Sequence, residues 1–193
     1  MKKIIYIIMI TVITVVSFGT LSNANSIAPE YDATFDDGKG IFYANGTSIT
    51  INENESGNTV VYWDGGQQEV QPTVRIIGGG KQGSNFTQSN ITMQGGTVSH
   101  IYGGGASLEE NNLAILANSN ITINGGTVLE SIYGGGLLFT TTTDSNIIIN
   151  EGTIKSVCGG GSASANIAGV NYAAGTQENI QSSKNREKQL GRR

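Results

Sequence analysis

Few residues in this chain could do chemistry, and they lie far apart. His100 is the only histidine and Cys158 the only cysteine. A cysteine beside a histidine can make an activated nucleophile. These two fall in the first and third copies of a repeat, however. At ~4.8 Å per stacked strand they would be roughly 10 Å apart. Cys158 reads better as a small filler in the column of Tyr102 and Tyr133. Glu130, Glu151 and Lys155 sit near facing turns of neighbouring copies. Two carboxylates flanking a bond can cleave a polysaccharide. Such grooves gather several acids, often with an arginine, and the repeat body holds only Arg75. A surface ion pair, worth ~0–1 kcal/mol, is the favoured reading.

Glu109, Glu110, Phe139 and Asp144 lie in the segments that vary between copies. Loop residues on a rigid scaffold commonly make the contacts to a ligand, so these four are the candidate binding residues. The run Phe139–Thr143 could offer a flat threonine face, but only one copy has it, and a loop strand is expected. Gly78–Gly83 reads GGGKQG. It fits the glycine spacing of a dinucleotide-binding turn, but no amphipathic helix follows it and no acid lies ~20 residues on. Lys81 is followed by Gln82, which excludes a P-loop. Calcium-roll repeats of the Gly-Gly-x-Gly-x-Asp type are missing. No cofactor and no metal is expected.

The elements behind these residues come from the repeat. Gly95–Gly105 reads GGTVSHIYGGG, Gly125–Gly136 GGTVLESIYGGG, and Glu151–Gly161 EGTIKSVCGGG. Aligned on Ser89, Ser119 and Ser145, the copies differ in overall length. From each serine to the first glycine of its triplet, however, the interval is nearly fixed. Ser89 to Gly103 and Ser145 to Gly159 are equal, and Ser119 to Gly134 is longer by a single position. Constant walls with loops of any length on one side are the signature of stacked coils. In Asn120–Asn124 the isoleucines alternate with polar residues at strand period two. Asn90–Gln94 does the same, and Asn146–Asn150 loses one polar position to Ile148.

Stacked in register, Ile91, Ile121 and Ile147 form one aliphatic ladder, and Met93, Ile123 and Ile149 another. The triplets Gly103–Gly105, Gly134–Gly136 and Gly159–Gly161 mark corners. A corner needs positive φ or close backbone approach, which glycine gives without steric cost. Thr73–Gly80 and Thr47–Asn52 match the two halves of the unit upstream. Gly57–Gly66 reads as an inserted hairpin with an Asp-Gly turn. Ala165–Ile180 reads as a decayed fourth unit, since Ala174–Ile180 echoes Gly126–Ile132.

Gly is 28 of 193 residues and Pro only 2, which suits a turn-rich β protein rather than collagen. Lys2 and Lys3 precede a predominantly apolar stretch, Ile4–Phe18, and Ser22–Ala24 supplies small residues. That pattern predicts a signal peptide over residues 1–24 and export to the cell surface or medium, with no integral span once it is removed. Removing Lys2 and Lys3 from the 11 basic residues leaves nine against 15 acidic, net −6. The last ten residues carry five basic and one acidic, or +4, so the body stands at −10. An acidic body argues against nucleic acid as a partner. A single cysteine forms no internal disulfide. The expected organisation is a poorly ordered segment over 25–41, a β-helix repeat domain over 42–181, and a basic, disordered tail over 182–193.

Asn45–Gly66 (NGTSITINENESGNTVVYWDGG), Thr73–Gly80 (TVRIIGGG) and Ser119–Gly136 (SNITINGGTVLESIYGGG) resemble the repeat region of large secreted or wall-attached β-helix proteins of Gram-positive bacteria. The resemblance implies an all-β, right-handed parallel β-helix, of about four to five coils here, exposed outside the cell and adhesin-like. Such proteins often carry a wall-sorting signal. This chain has no Leu-Pro-x-Thr-Gly, which leaves covalent wall attachment open. The function expected is non-catalytic, with loops that bind a host or matrix glycan or protein. The alternatives are a polysaccharide lyase or glycoside hydrolase of the β-helix type, and a truncated gene product with no function of its own.

Overall fold

The computed structural model describes residues 33–167 and 170–173. The leader over 1–24, residues 25–32, the echo at 174–180 and the tail over 182–193 lie outside the described residues. The chain enters with β1 (Thr34–Asp36), a 3-10 turn (Asp37–Lys39) and β2 (Ile41–Tyr43). A meander follows: β3 (Ser48–Glu53), β4 (Thr59–Trp63) and β5 (Gly66–Val70). Then come β6 (Arg75–Ile77), β7 (Asn85–Met93), β8 (Thr97–Tyr102) and the two-residue β9 (Ala106–Ser107). β10 (Ala114–Tyr133), the short β11 (Leu137–Leu138) and β12 (Thr140–Cys158) carry the next coils. β13 (Ser164–Ile167) and β14 (Val170–Ala173) end the described chain.

The strands form a β-solenoid of about four turns. One wall stacks β3, β7 and the first halves of β10 and β12, all parallel. The second wall stacks β2, β6, β8 and the second halves of β10 and β12, also parallel. Ser89, Ser119 and Ser145 fall in one row, as the serine alignment predicts. The aliphatic ladders run one coil further than the three copies show: Ile49–Ile91–Ile121–Ile147, and Ile51–Met93–Ile123–Ile149. Phe42, Ile76, Ile101, Ile132 and Val157 form the ladder of the second wall. These side chains meet in one core inside the spiral. Each that is fully buried contributes roughly 1.5–3 kcal/mol. The last rung differs, because Ile147, Ile149, Ile154 and Val157 are only half-buried.

The first coil is closed off differently. β4 and β5 fold back antiparallel on β3, with the expected Asp64–Gly65 turn between them and Gly65 at φ 98. β1 pairs antiparallel with β2. Residues 34–40 are therefore in regular structure, a correction to the loosely ordered segment expected there. The described start of the expected fourth unit is also corrected. Ser164–Ala173 forms an antiparallel hairpin, β13–β14, rather than another parallel rung.

The glycine triplets are corners, but for one of the two expected reasons only. Gly103 N–H donates to Tyr133 O at 2.9 Å, and Gly104 N–H to Gly135 O at 3.1 Å. Gly134 donates to Cys158 O at 2.9 Å and Gly135 to Gly160 O at 3.1 Å. The corner is thus a hydrogen-bonded ladder of bare backbone. A Cβ on Gly104 would stand 2.6 Å from Gly136 N, and one on Gly135 2.8 Å from Gly161 N. Positive φ is needed elsewhere, at the second position of each preceding turn: Gly96 (79°), Gly126 (86°) and Gly152 (113°).

The row of serines explains the first triplet position. Ser89 Oγ donates across its own coil to Gly103 O at 2.8 Å, and Ser145 Oγ to Gly159 O at 3.1 Å. Each serine also fills the space beside the glycine of the preceding coil. A Cβ on Gly134 would lie 2.5 Å from Ser145 Oγ. In the coil with the longer interval the bond is lost, and buried Ser119 Oγ has no partner.

Gly104→Ala forces backbone apart and is expected to cost about 2–4 kcal/mol in urea unfolding. Gly38→Ala, whose Cβ would meet only Asp36 Oδ1 at 3.8 Å, should stay within about 0.5 kcal/mol of the parent. Ile121→Asp buries an unpaired carboxylate in the ladder, and the same measurement should show a loss of about 4 kcal/mol or more.

Candidate functional site

The alternation that sends Ile76, Ile101, Ile132 and Val157 inward sends their neighbours outward. One outer row is Arg75, His100, Ser131 and Ser156, and the next is Ile77, Tyr102, Tyr133 and Cys158. Because the strands are in register, the Tyr102 and Tyr133 rings stack with centroids 4.9 Å apart and planes 6° apart. That spacing is the strand spacing itself. His100 stacks on Tyr102 at 5.7 Å.

The loops do not leave this wall. β9 and β11 pair in parallel and fold back over it. Ala106, Leu137, Leu138 and Phe139 bury themselves against Ile41, Tyr43, Ile77 and Tyr102, with Leu108 and Tyr133 at the margin. The solenoid therefore has a second core, outside the spiral. Lys81 Nζ lies over the Tyr43 ring at 5.1 Å, a cation–π contact at the rim of this core.

The extra residue of the second coil is a bulge. Pairing slips between Val128 and Ser131 against both neighbouring strands. The bulge turns Leu129 out to solvent and carries Glu130 to Lys155, where the two form an ion pair. Ser131 Oγ and Ser156 Oγ lie 2.9 Å apart beside it. Lys155, by hydrogen bond and by charge, holds the Glu130 carboxyl below its usual range. At neutral pH Glu130 is an acceptor and has no proton to give. Burial above all pushes His100 down, with Arg75 and Lys155 adding to the effect and Glu130 opposing it. Ser99 Oγ and His100 Nδ1 are in hydrogen-bond contact. Burial, followed by Tyr133, raises the Tyr102 hydroxyl, against the pull of Arg75 and Ser162. Burial and then Asp36 raise the Tyr43 hydroxyl to about 12.

The candidate binding residues do not converge. Glu109 and Glu110 are exposed in the loop between β9 and β10, where Asn112 Nδ2 reaches Glu109 Oε2 at 3.5 Å. Phe139 is a correction to the exposed loop position expected: it is buried in the second core and anchors its loop. Asp144 is half-buried, opposite Asn118 on the first wall. Glu151 sits at the bend opposite Asn124, away from the Glu130–Lys155 pair. Cys158 does share the tyrosine column, but it is exposed rather than filling a gap. Two strand rows separate it from His100. Among the described residues no three His, Cys, Asp or Glu side chains are grouped to hold a metal ion. No helix among them is long and apolar enough to cross a membrane. Sequence reasoning missed that Arg75, Tyr133 and Ser162 gather around the Tyr102 hydroxyl. The signal was the repeated Ile-Tyr before the triplet.

The geometry defines a β-solenoid with loops bound down on one outer wall. No protein-family model, curated protein or solved structure matches the chain.

With its pKa lowered in the fold, His100 takes up a proton more readily in the unfolded chain. Stability is full above pH 6.5, the ordinary histidine value, and falls as pH drops below it. Melting temperatures should decline between pH 6.5 and 5, before the carboxylates titrate, and His100→Gln should flatten that decline.

Proposed function

We propose that this chain is an exported, non-catalytic β-solenoid whose loops bind a glycan or protein outside the cell. The observation that carries this reading is the second core. Phe139, Leu137, Leu138 and Ala106 pin the variable loops to a rigid wall. The exposed tip, Glu109 to Leu113, is thereby presented on a scaffold whose ordering cost is already met on folding. Ser107 Oγ braces the tip, sharing its one proton between Glu109 O at 3.0 Å and Asn112 O at 2.8 Å. Glu130 is tied to Lys155 and kept ionised, so it does not offer the protonated carboxyl that a glycosidase uses as its acid. The leader pattern and the resemblance to secreted repeat proteins support an extracellular site of action.

Glycan and matrix-protein arrays probed with the purified chain test the reading. A bound ligand whose affinity falls at least tenfold in the Glu109→Ala, Glu110→Ala double variant, with melting unchanged, is the expected outcome. Release of reducing or unsaturated ends from pectin, alginate or glycosaminoglycans, abolished by Glu151→Gln, would overturn it in favour of an enzyme.

A further inference from the structure

The two ends of the stack are unequal. At the first coil, β4 and β5 cover one wall and β1 the other, and the outermost strand exposes Gln67 and Glu69. At the last coil, β12 pairs with β10 on one side and, among the described residues, with no strand on the other. Its inward residues Ile147, Ile149, Ile154 and Val157 are half-open, while their counterparts one coil earlier are sealed. Outward-facing Ile148 adds further exposed apolar surface on the same strand. Such an edge is a template for another strand.

We propose that a second copy of this chain covers it, tail to tail, so that each open end closes the other. This rests on the edge alone and not on the binding function above. Residues 174–193 hold Ile180 and Leu190 as their only large aliphatics, among five basic side chains. A closing coil needs four inward aliphatics, as β12 has in Ile147, Ile149, Ile154 and Val157. A head-to-tail copy would set the apolar edge against the polar, already paired β5, and would continue into an open fibre. A tail-to-tail copy sets Ile149 of each against Ile154 of the other and closes on itself.

The bend in β12 fixes the two-fold. Both arms of the bent strand stay paired only if the axis passes through the bend at Glu151–Gly152. Each first arm then runs antiparallel to the other copy's second arm, with Ile149 of each beside Ile154 of the other. The 19 residues of β12 at ~3.3 Å each make an edge about 60 Å long. With an apron ~10 Å deep, the sheet-packing distance, about 600 Å² per copy is covered. That reaches the lower end of a specific interface, about 1,200 Å² in total.

Sedimentation equilibrium of the purified chain is expected to give twice the mass found in denaturant. Hydrogen exchange on the same unaltered protein is expected to show β12 amides gaining protection as concentration rises through the micromolar range, while β5 amides do not. Ile154→Lys should yield a folded monomer. A monomer with concentration-independent β12 exchange would overturn the proposal. So would extended fibres, or a dimer that persists in folded Ile154→Lys.

Discussion

Everything in this molecule hangs on the distance between successive coils at the glycine corner. Parallel strands stack at about 4.8 Å only if the backbone bonds of one turn reach the next without interruption. Gly103 to Tyr133, Gly104 to Gly135, and Gly134 to Cys158 make that run of bonds. No side chain fits between them, and the row of serines takes the little space left on the inner side. The corner in turn sets the register of both walls. Register decides that isoleucines meet isoleucines inside and tyrosine meets tyrosine outside. A one-residue slip would exchange the two faces of every strand.

Much of this was legible in the chain. Alternation in Asn120–Asn124 and its copies gives the inner ladders directly, since a strand has only two faces. The Asp64–Gly65 turn announces its hairpin. The constant interval between serine and triplet is the length of a coil interior that the Ser89 and Ser145 bonds span. Its one exception, the extra position in the second coil, announces the bulge that pairs Glu130 with Lys155. What was not legible is the second core. Strand alternation assigns Tyr102 to the outer face, and an outer face is expected to be wet. Only the return of β9 and β11 makes it dry. Loops that vary in length carry no period from which such a return could be read. Phe139 was misplaced for that reason, and the β13–β14 hairpin for a related one. Residues Ala165–Ile180 resemble a coil in a few letters but have no glycine triplet to fix a corner.

The two cores divide the labour of the fold. The inner one holds coil to coil, and any rung lost from it weakens the whole spiral, because no coil buries its own face. The outer one holds loop to wall and leaves the spiral alone. Variation in the loops is therefore tolerated so long as an anchor such as Phe139 or Leu137 survives. The electrostatics respect the same boundary. His100, Tyr102 and Tyr43 are kept neutral by burial on the outer wall, while the charged pair Glu130–Lys155 stays in solvent at its margin.

The antiparallel cover on the first coil, set against a last coil that no described strand covers, also bears on the order in which the spiral can be built. A rung of β-solenoid pairs with the rung before it, and among the described strands of the stack the β3–β4–β5 meander is the part built from neighbours close in sequence. A stack that nucleated there would wind toward Cys158 in the order in which a ribosome delivers the residues. Each emerging stretch would find its template already laid down.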